Sequence, residues 1–236
     1  MGNFLLNVLA SIIGSGLLIA VSGILSKKAR WILIGLLSRL LNVDLDYLYT
    51  DRKEVERDLV QELKSSLNIS ILTGRGSEFN RDTFAPLFAE RPSSRKLRVR
   101  LLLPATIATA GVFDWTKQRE GELASFDPAY GTGLLAEQIE VNASFLQKYV
   151  ESGLLELRRF EAPHIGRIVL TDRFAYFTPY RREAHGRHSP VYKYRRGGDM
   201  HDSFMRFFEQ LWEAASIHDT SEAIQKPVRP SSRPAL

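Results

Sequence analysis

From Phe4 to Leu25 the chain carries no charged residue and is almost wholly aliphatic, broken only by small or weakly polar residues such as Asn7, Ser11, Ser15 and Ser22. At about 1.5 Å rise per residue, a helix of that length crosses a hydrocarbon layer of roughly 30 Å. The pattern therefore predicts a transmembrane helix over residues 1–26. No basic stretch precedes it, as a signal peptide would require, and Lys27, Lys28 and Arg30 follow it, so the positive-inside rule assigns the rest of the chain to the cytoplasm. A second apolar stretch, Trp31 to Val43, is shorter and contains Arg39. Residues 27–50 are accordingly read as a basic turn and an interfacial or second short membrane helix. Ala10 and Gly14, Ser11 and Ser15, and Gly16 and Ala20 are small residues four apart, a spacing that favours a homo-oligomer through the membrane helix.

Past Asp51 the pattern changes. Val55, Leu59, Leu63 and Leu67 recur every four residues among charges, predicting a connecting helix over 51–67. Asn68 to Leu72 alternates as a strand does and ends in Thr73-Gly-Arg-Gly-Ser77, a tight turn able to offer backbone donors. Phe79 to Ala89 is read as a short helix, Leu97 to Pro104 as a strand entering a core, Ala105 to Gly133 as irregular, and Leu134 to Val150 as the longest internal helix. Three strands follow, at Leu154 to Phe160, Arg167 to Asp172 and Phe174 to Thr178. A final helix bears Phe204, Phe208, Leu211 and Trp212 on one face. Alternating strands and helices followed by adjacent strands imply one α/β sandwich domain over 68–216, with a proline-rich disordered tail over 217–236.

The 236 residues include no cysteine, which excludes disulfides, thiolate metal sites and a cysteine nucleophile. A net charge of +5 and a sequence pI near 9.5 suit a partner that carries phosphates. The positive charge concentrates between Arg158 and Arg196. There Arg181, Arg182, Arg187, Lys193, Arg195 and Arg196 are interleaved with Tyr192 and Tyr194, pairing phosphate contacts with stacking surfaces as single-stranded nucleic acid or a nucleotide requires. The alternatives are a solvated basic loop or one lying on anionic lipid. His185, His188 and His201 have no carboxylate pair at helical spacing beside them, so neither a metal site nor a cofactor is expected.

The order of these patches resembles one half of a phospholipase D-like domain. The likeness rests on the first strand with its glycine turn, Val99-Arg-Leu-Leu-Leu-Pro104, the long helix feeding a strand, His164 to Asp172 with Tyr176 and Pro179, Ser189-Pro-Val-Tyr, and the aromatic helix ending in Trp212. It implies a phospholipase D-like fold over about residues 67–216. In that family a histidine attacks phosphorus and a lysine two residues on, with an aspartate five beyond it, completes the motif. Here Gly166 stands at the lysine position, Arg167 is the nearest cation, and Asp172 falls one residue late. The candidate catalytic set is therefore His164, Arg167 and Asp172, with side chains of neighbouring strand residues pointing to opposite faces. The layout also resembles bacterial antiphage membrane effectors of the retron or cyclic-nucleotide type. That likeness implies an inner-membrane effector with a defence-system partner protein, whose domain senses nucleic acid or a nucleotide. A membrane-anchored phosphodiesterase, either nuclease or lipase, is the alternative.

Overall fold

The computed structural model describes residues 11, 14–15, 33–38, 44–80, 82–89, 97–109 and 111–217. Among them no helix is long and apolar enough to cross a membrane. The expected transmembrane helix over residues 1–26, and the inner-membrane placement and antiphage membrane-effector layout drawn from it, are therefore not supported by any described helix. Of the apolar run Phe4 to Leu25 only Ser11, Gly14 and Ser15 fall within the described residues, and of Trp31 to Val43 only the helical residues 33–38. Leu45 to Tyr49, which the apolar count grouped with the second membrane element, is a strand of the sheet.

The elements in chain order are β1 (Leu45–Tyr49), α1 (Arg52–Ser65), β2 (Asn68–Leu72), β3 (Arg98–Pro104), α2 (Trp115–Ala124), α3 (Leu134–Glu151), β4 (Leu155–Phe160), β5 (Gly166–Leu170), β6 (Phe174–Pro179), β7 (Val191–Arg195), α4 (Asp199–Ala214) and β8 (Ser216–Ile217). The eight strands form one sheet in the order β1-β7-β6-β5-β2-β3-β4-β8. Neighbours β2, β3 and β4 run parallel, and the remaining pairs are antiparallel.

Period-two alternation divides the sheet between two cores. Ile69, Ile71, Leu101, Leu103, Leu157 and Val169 face α1 and α3, meeting Leu59, Leu63, Ile139 and Leu146. Leu72, Leu102, Phe160, Ile168 and Leu170 face α4, meeting Phe204, Phe208 and Trp212. The unbroken apolar run at Leu101 to Leu103 follows from burial on both faces. Arg100, on the α4 face, is tolerated because it makes a two-pronged ion pair with Glu209 and lies 5.1 Å from the centre of the Phe208 ring.

Besides β1, three elements differ from the pattern-based expectation. The segment Phe79 to Ala89 forms two 3₁₀ turns, Ser77–Asn80 and Asp82–Leu87, the second containing Pro86. Helix α2 lies in the stretch read as irregular; its buried residues are Trp115, Thr116, Arg119 and Leu123, so polar side chains occupy inward positions and no apolar stripe marks it. Its start was written in Asp114, whose carboxylate accepts from the Lys117 amide at 2.8 Å. Strand β7 was not expected, because Lys193 and Arg195 occupy one of its faces where an apolar alternation would mark a strand.

Two contacts give direct stability predictions. The Asp44 carboxylate accepts from the amides of Met200 at 2.9 Å and His201 at 3.0 Å, capping α4 from far away in sequence. Asp44→Ala is expected to lower unfolding free energy by about 1 kcal/mol in urea titration, the usual effect of losing a helix cap. At Gly166, a Cβ would lie 2.5 Å from the Thr178 carbonyl oxygen and 2.9 Å from Pro179 Cα. These backbone atoms cannot move aside cheaply, so Gly166→Ala is expected to cost about 1–3 kcal/mol in the same assay.

Candidate functional site

A cleft of about 330 Å³ opens where the carboxyl end of β2 meets the start of β5 and the end of β6. Parallel strands β2 and β3 end there, beside the start of their antiparallel neighbour β5. Its floor is Thr73, Glu78, Arg167 and Thr178, and its walls include Arg75, Trp115, Arg119, Tyr180, His185 and His188.

The floor is a small polar network. Thr73 Oγ1 donates to Glu78, whose carboxylate lies 3.9 Å from Arg167. Arg167 Nη2 donates to Thr178 Oγ1 at 3.3 Å, and among the described residues this is its one side-chain hydrogen bond. The guanidinium has five N–H groups, so donors remain for a ligand. Its side chain is 24% exposed, on the cleft side.

Arg75 and Arg119 serve the walls. Arg75 holds Tyr130 Oη at 2.6 Å and Gln138 at 3.0 Å, tying the β2 turn to α3. Arg119 binds Glu122 and the carbonyls of Arg181 and Ala184, and lies over the Tyr180 ring at 5.4 Å. Tyr180 in turn accepts from the Gly74 amide at 2.8 Å. A Cβ at Gly74 would fall 2.5 Å from Trp115 Cη2 and 3.0 Å from Tyr180 Oη, so glycine is required for the turn to seat against this wall. His185 Nε2 sits 3.1 Å from Asp127 Oδ2 at the rim.

His164, the candidate nucleophile, is a buried side chain among the rings of Trp115, Phe160 and Tyr180, at centroid distances of 5.1–5.3 Å. Among the described residues neither ring nitrogen has a hydrogen-bond partner. Burial, with a further push from Arg119, lowers its pKa to about 3, so the imidazole is neutral at physiological pH. Asp172 lies at the opposite end of β5. Its carboxylate accepts from the Leu67 amide at 2.6 Å and from Asn68, pinning the start of β2. Burial opposes its ionisation, but these hydrogen bonds and Arg196 outweigh it and lower its pKa. Of His164, Arg167 and Asp172, only Arg167 reaches the cleft.

The basic stretch is likewise divided by the strand it forms. Lys193 is buried against α1, 2.8 Å from Asp58 and 3.9 Å from Asp46, and Arg195 lies 3.6 Å from Asp46 on the same face. Tyr192 and Tyr194 stack on each other on the α4 face. Arg196 donates to the Asp172 carbonyl. Arg181 and Arg182 are exposed in the loop after β6, Arg182 within 4.0 Å of Glu122. Arg187 belongs to the 3₁₀ turn Gly186–His188, and its side chain lies outside the described residues. These residues therefore do not form one surface. The cleft residues Arg75, Arg119 and Glu78 were not singled out; only the glycine turn at Thr73 to Ser77 pointed toward them. Among the described residues no group of three or more His, Asp or Glu side chains is placed to hold a metal.

No family model matches the chain, and no curated protein does. Among solved structures it is similar to TrmBL2, an archaeal chromatin protein with a novel mode of DNA binding. Identity is 16% and the TM-score 0.45, over 90% of this chain and 70% of that one. It is also similar to phosphatidylserine synthase from Haemophilus influenzae Rd KW20, at 14% identity and a TM-score of 0.45, over 72% of this chain and 38% of that one. Likenesses this distant assign neither a family nor an activity.

Proposed function

We propose that the α/β domain is a binding and sensing module for a small phosphate-bearing ligand of the nucleotide class, held in the β2–β5–β6 cleft with Arg167 on the phosphate. The observation that carries this reading is Arg167 itself: a guanidinium in a cleft whose one side-chain hydrogen bond among the described residues is to Thr178 and whose counter-charge, Glu78, lies 3.9 Å away. Arginine in this setting offers paired N–H donors matched to phosphate oxygens. A volume near 330 Å³ is at the small end of ligand pockets, which suits a mononucleotide better than a polymer.

Phosphodiester cleavage is the less supported reading. A nucleophile needs reach to phosphorus and a partner to orient it, whereas His164 is enclosed by aromatic rings and Asp172 is held at the far end of β5.

Isothermal titration of the protein with AMP tests the proposal. Arg167→Gln is expected to raise the dissociation constant roughly tenfold to a hundredfold, the range for a hydrogen-bonded charge pair, and the loss is expected to shrink at high salt. Equal affinities for the wild type and Arg167→Gln would remove the site.

A further inference from the structure

We infer that the outer face of α3 is a self-complementary interface on which a second copy of this chain docks antiparallel, pairing Glu137 of each copy with Lys148 of the other. The inner face of the helix, formed by Leu135, Ile139, Asn142, Ala143 and Leu146, is buried. A helix buried on one side ordinarily presents a polar face on the other. Here the outer face carries Val141, 61% exposed, and Phe145, 40% exposed. With half-buried Tyr149 they recur every four residues, and Phe88 stacks on Tyr149 at 3.9 Å, so the apolar strip extends past the helix itself. Lys148 lies across this strip, 4.9 Å from the centre of the Phe145 ring and 4.8 Å from that of Tyr149. Continuous apolar strips left exposed on a folded domain mark contact surfaces.

The charges along the strip select the occupant. Glu137, Lys148 and Glu151 are exposed, whereas Glu140 is already held by Arg159 at 2.8 Å. Glu137 and Lys148 stand about three helical turns apart, on one face and roughly 16 Å from each other. A two-fold axis perpendicular to the helix and midway between them also passes midway between Val141 and Ser144. It sets each glutamate on the other copy's lysine and packs Val141 on the small Ser144, which lets the helices approach closely. Parallel packing would instead oppose like charges. The antiparallel arrangement further brings Glu151 to the amino end of the other α3, where the helix dipole favours an acid. A charge pattern that matches itself under a two-fold rotation fits a second copy of the chain.

The chain has no cysteine, so an introduced thiol reports the contact directly. Full-length Ser144→Cys, under mild oxidation, is expected to form a disulfide-linked dimer on the order of tenfold faster than Lys117→Cys, because only thiols held within disulfide reach gain that proximity. Lys117 is exposed on α2, so its variant reads association through any other part of the chain. In the Ser144→Cys background, Glu137→Lys or Lys148→Glu is expected to remove most of the advantage, and the two together to restore it. Equal rates for the two cysteine variants, single reversals without effect, or a double reversal as slow as either single one would overturn the inference and leave the strip to a different partner.

Discussion

Replacing His164 by phenylalanine is expected to stabilise the domain increasingly as the pH falls from about 6.5 toward 3. In the folded protein the imidazole has a pKa of about 3, against an ordinary value of 6.5. Between those values the unfolded chain binds a proton there and the folded chain does not, so protonation favours unfolding by about 1.4 kcal/mol per pH unit. Above pH 6.5 neither state is protonated and the effect vanishes. The full difference, reached near pH 3, is on the order of 4 kcal/mol. The carboxylates act in a separate window: Asp58 and Asp172 have lowered pKa values, so their stabilising contribution is present above the ordinary value of 3.8 and lost below it. Urea titrations at pH 7, 5.5 and 4.5 therefore isolate His164. The substitution also removes two unpaired nitrogens, so the variant is expected to be at least as stable as the wild type at pH 7. A wild type and variant of identical pH dependence would show that the imidazole is solvated.

Lys193→Met is expected to destabilise the fold by roughly 2–4 kcal/mol and to leave nucleotide affinity unchanged. Lys193 is 8% exposed, and its ammonium contacts Asp58 and sits 4.0 Å from the centre of the Phe174 ring. Asp58 also accepts from Tyr176 Oη at 2.6 Å. Burial alone would raise the Asp58 pKa, but Lys193 and Tyr176 bring it below the usual carboxylate range. Removing one partner of a buried pair leaves the other charge unmatched, an effect of about 3–5 kcal/mol at full burial. The smaller figure reflects Asp58, whose side chain is 33% exposed. The double variant Asp58→Asn with Lys193→Met is expected to recover part of the loss, because the unmatched charge is gone. An unchanged melting midpoint with weakened nucleotide binding would return Lys193 to the ligand.

The sheet was legible where side chains follow one rule per face. Asn68 to Leu72 and Leu97 to Pro104 alternate or run apolar, and both are strands within a residue of the expected bounds. The long helix and the closing aromatic helix were legible for the same reason. Strands β1 and β7 were not. They pair with each other, and their inward positions hold Lys193 and Arg195 opposite Asp46 and Asp58, so charge pairing takes the place of apolar burial and erases the alternation. The site suffered likewise. Charge density pointed to Arg181 through Arg196, but a strand sends neighbouring residues to opposite faces, and Lys193, Arg195 and Arg196 are occupied by Asp58, Asp46 and the Asp172 carbonyl. The cleft instead assembles Thr73, Glu78, Arg167 and Thr178 from distant parts of the chain, a grouping no local spacing announces.

The central claim is that Arg167 holds a phosphate at the mouth of the sheet and that the ligand leaves uncleaved. Crystals of the protein grown with AMP test it most directly. The account predicts intact AMP with a phosphate oxygen within about 3 Å of the Arg167 guanidinium. Density for the phosphate on the Arg181–Arg182 loop with the cleft empty, or a cleaved ligand covalently bound to His164, would contradict it.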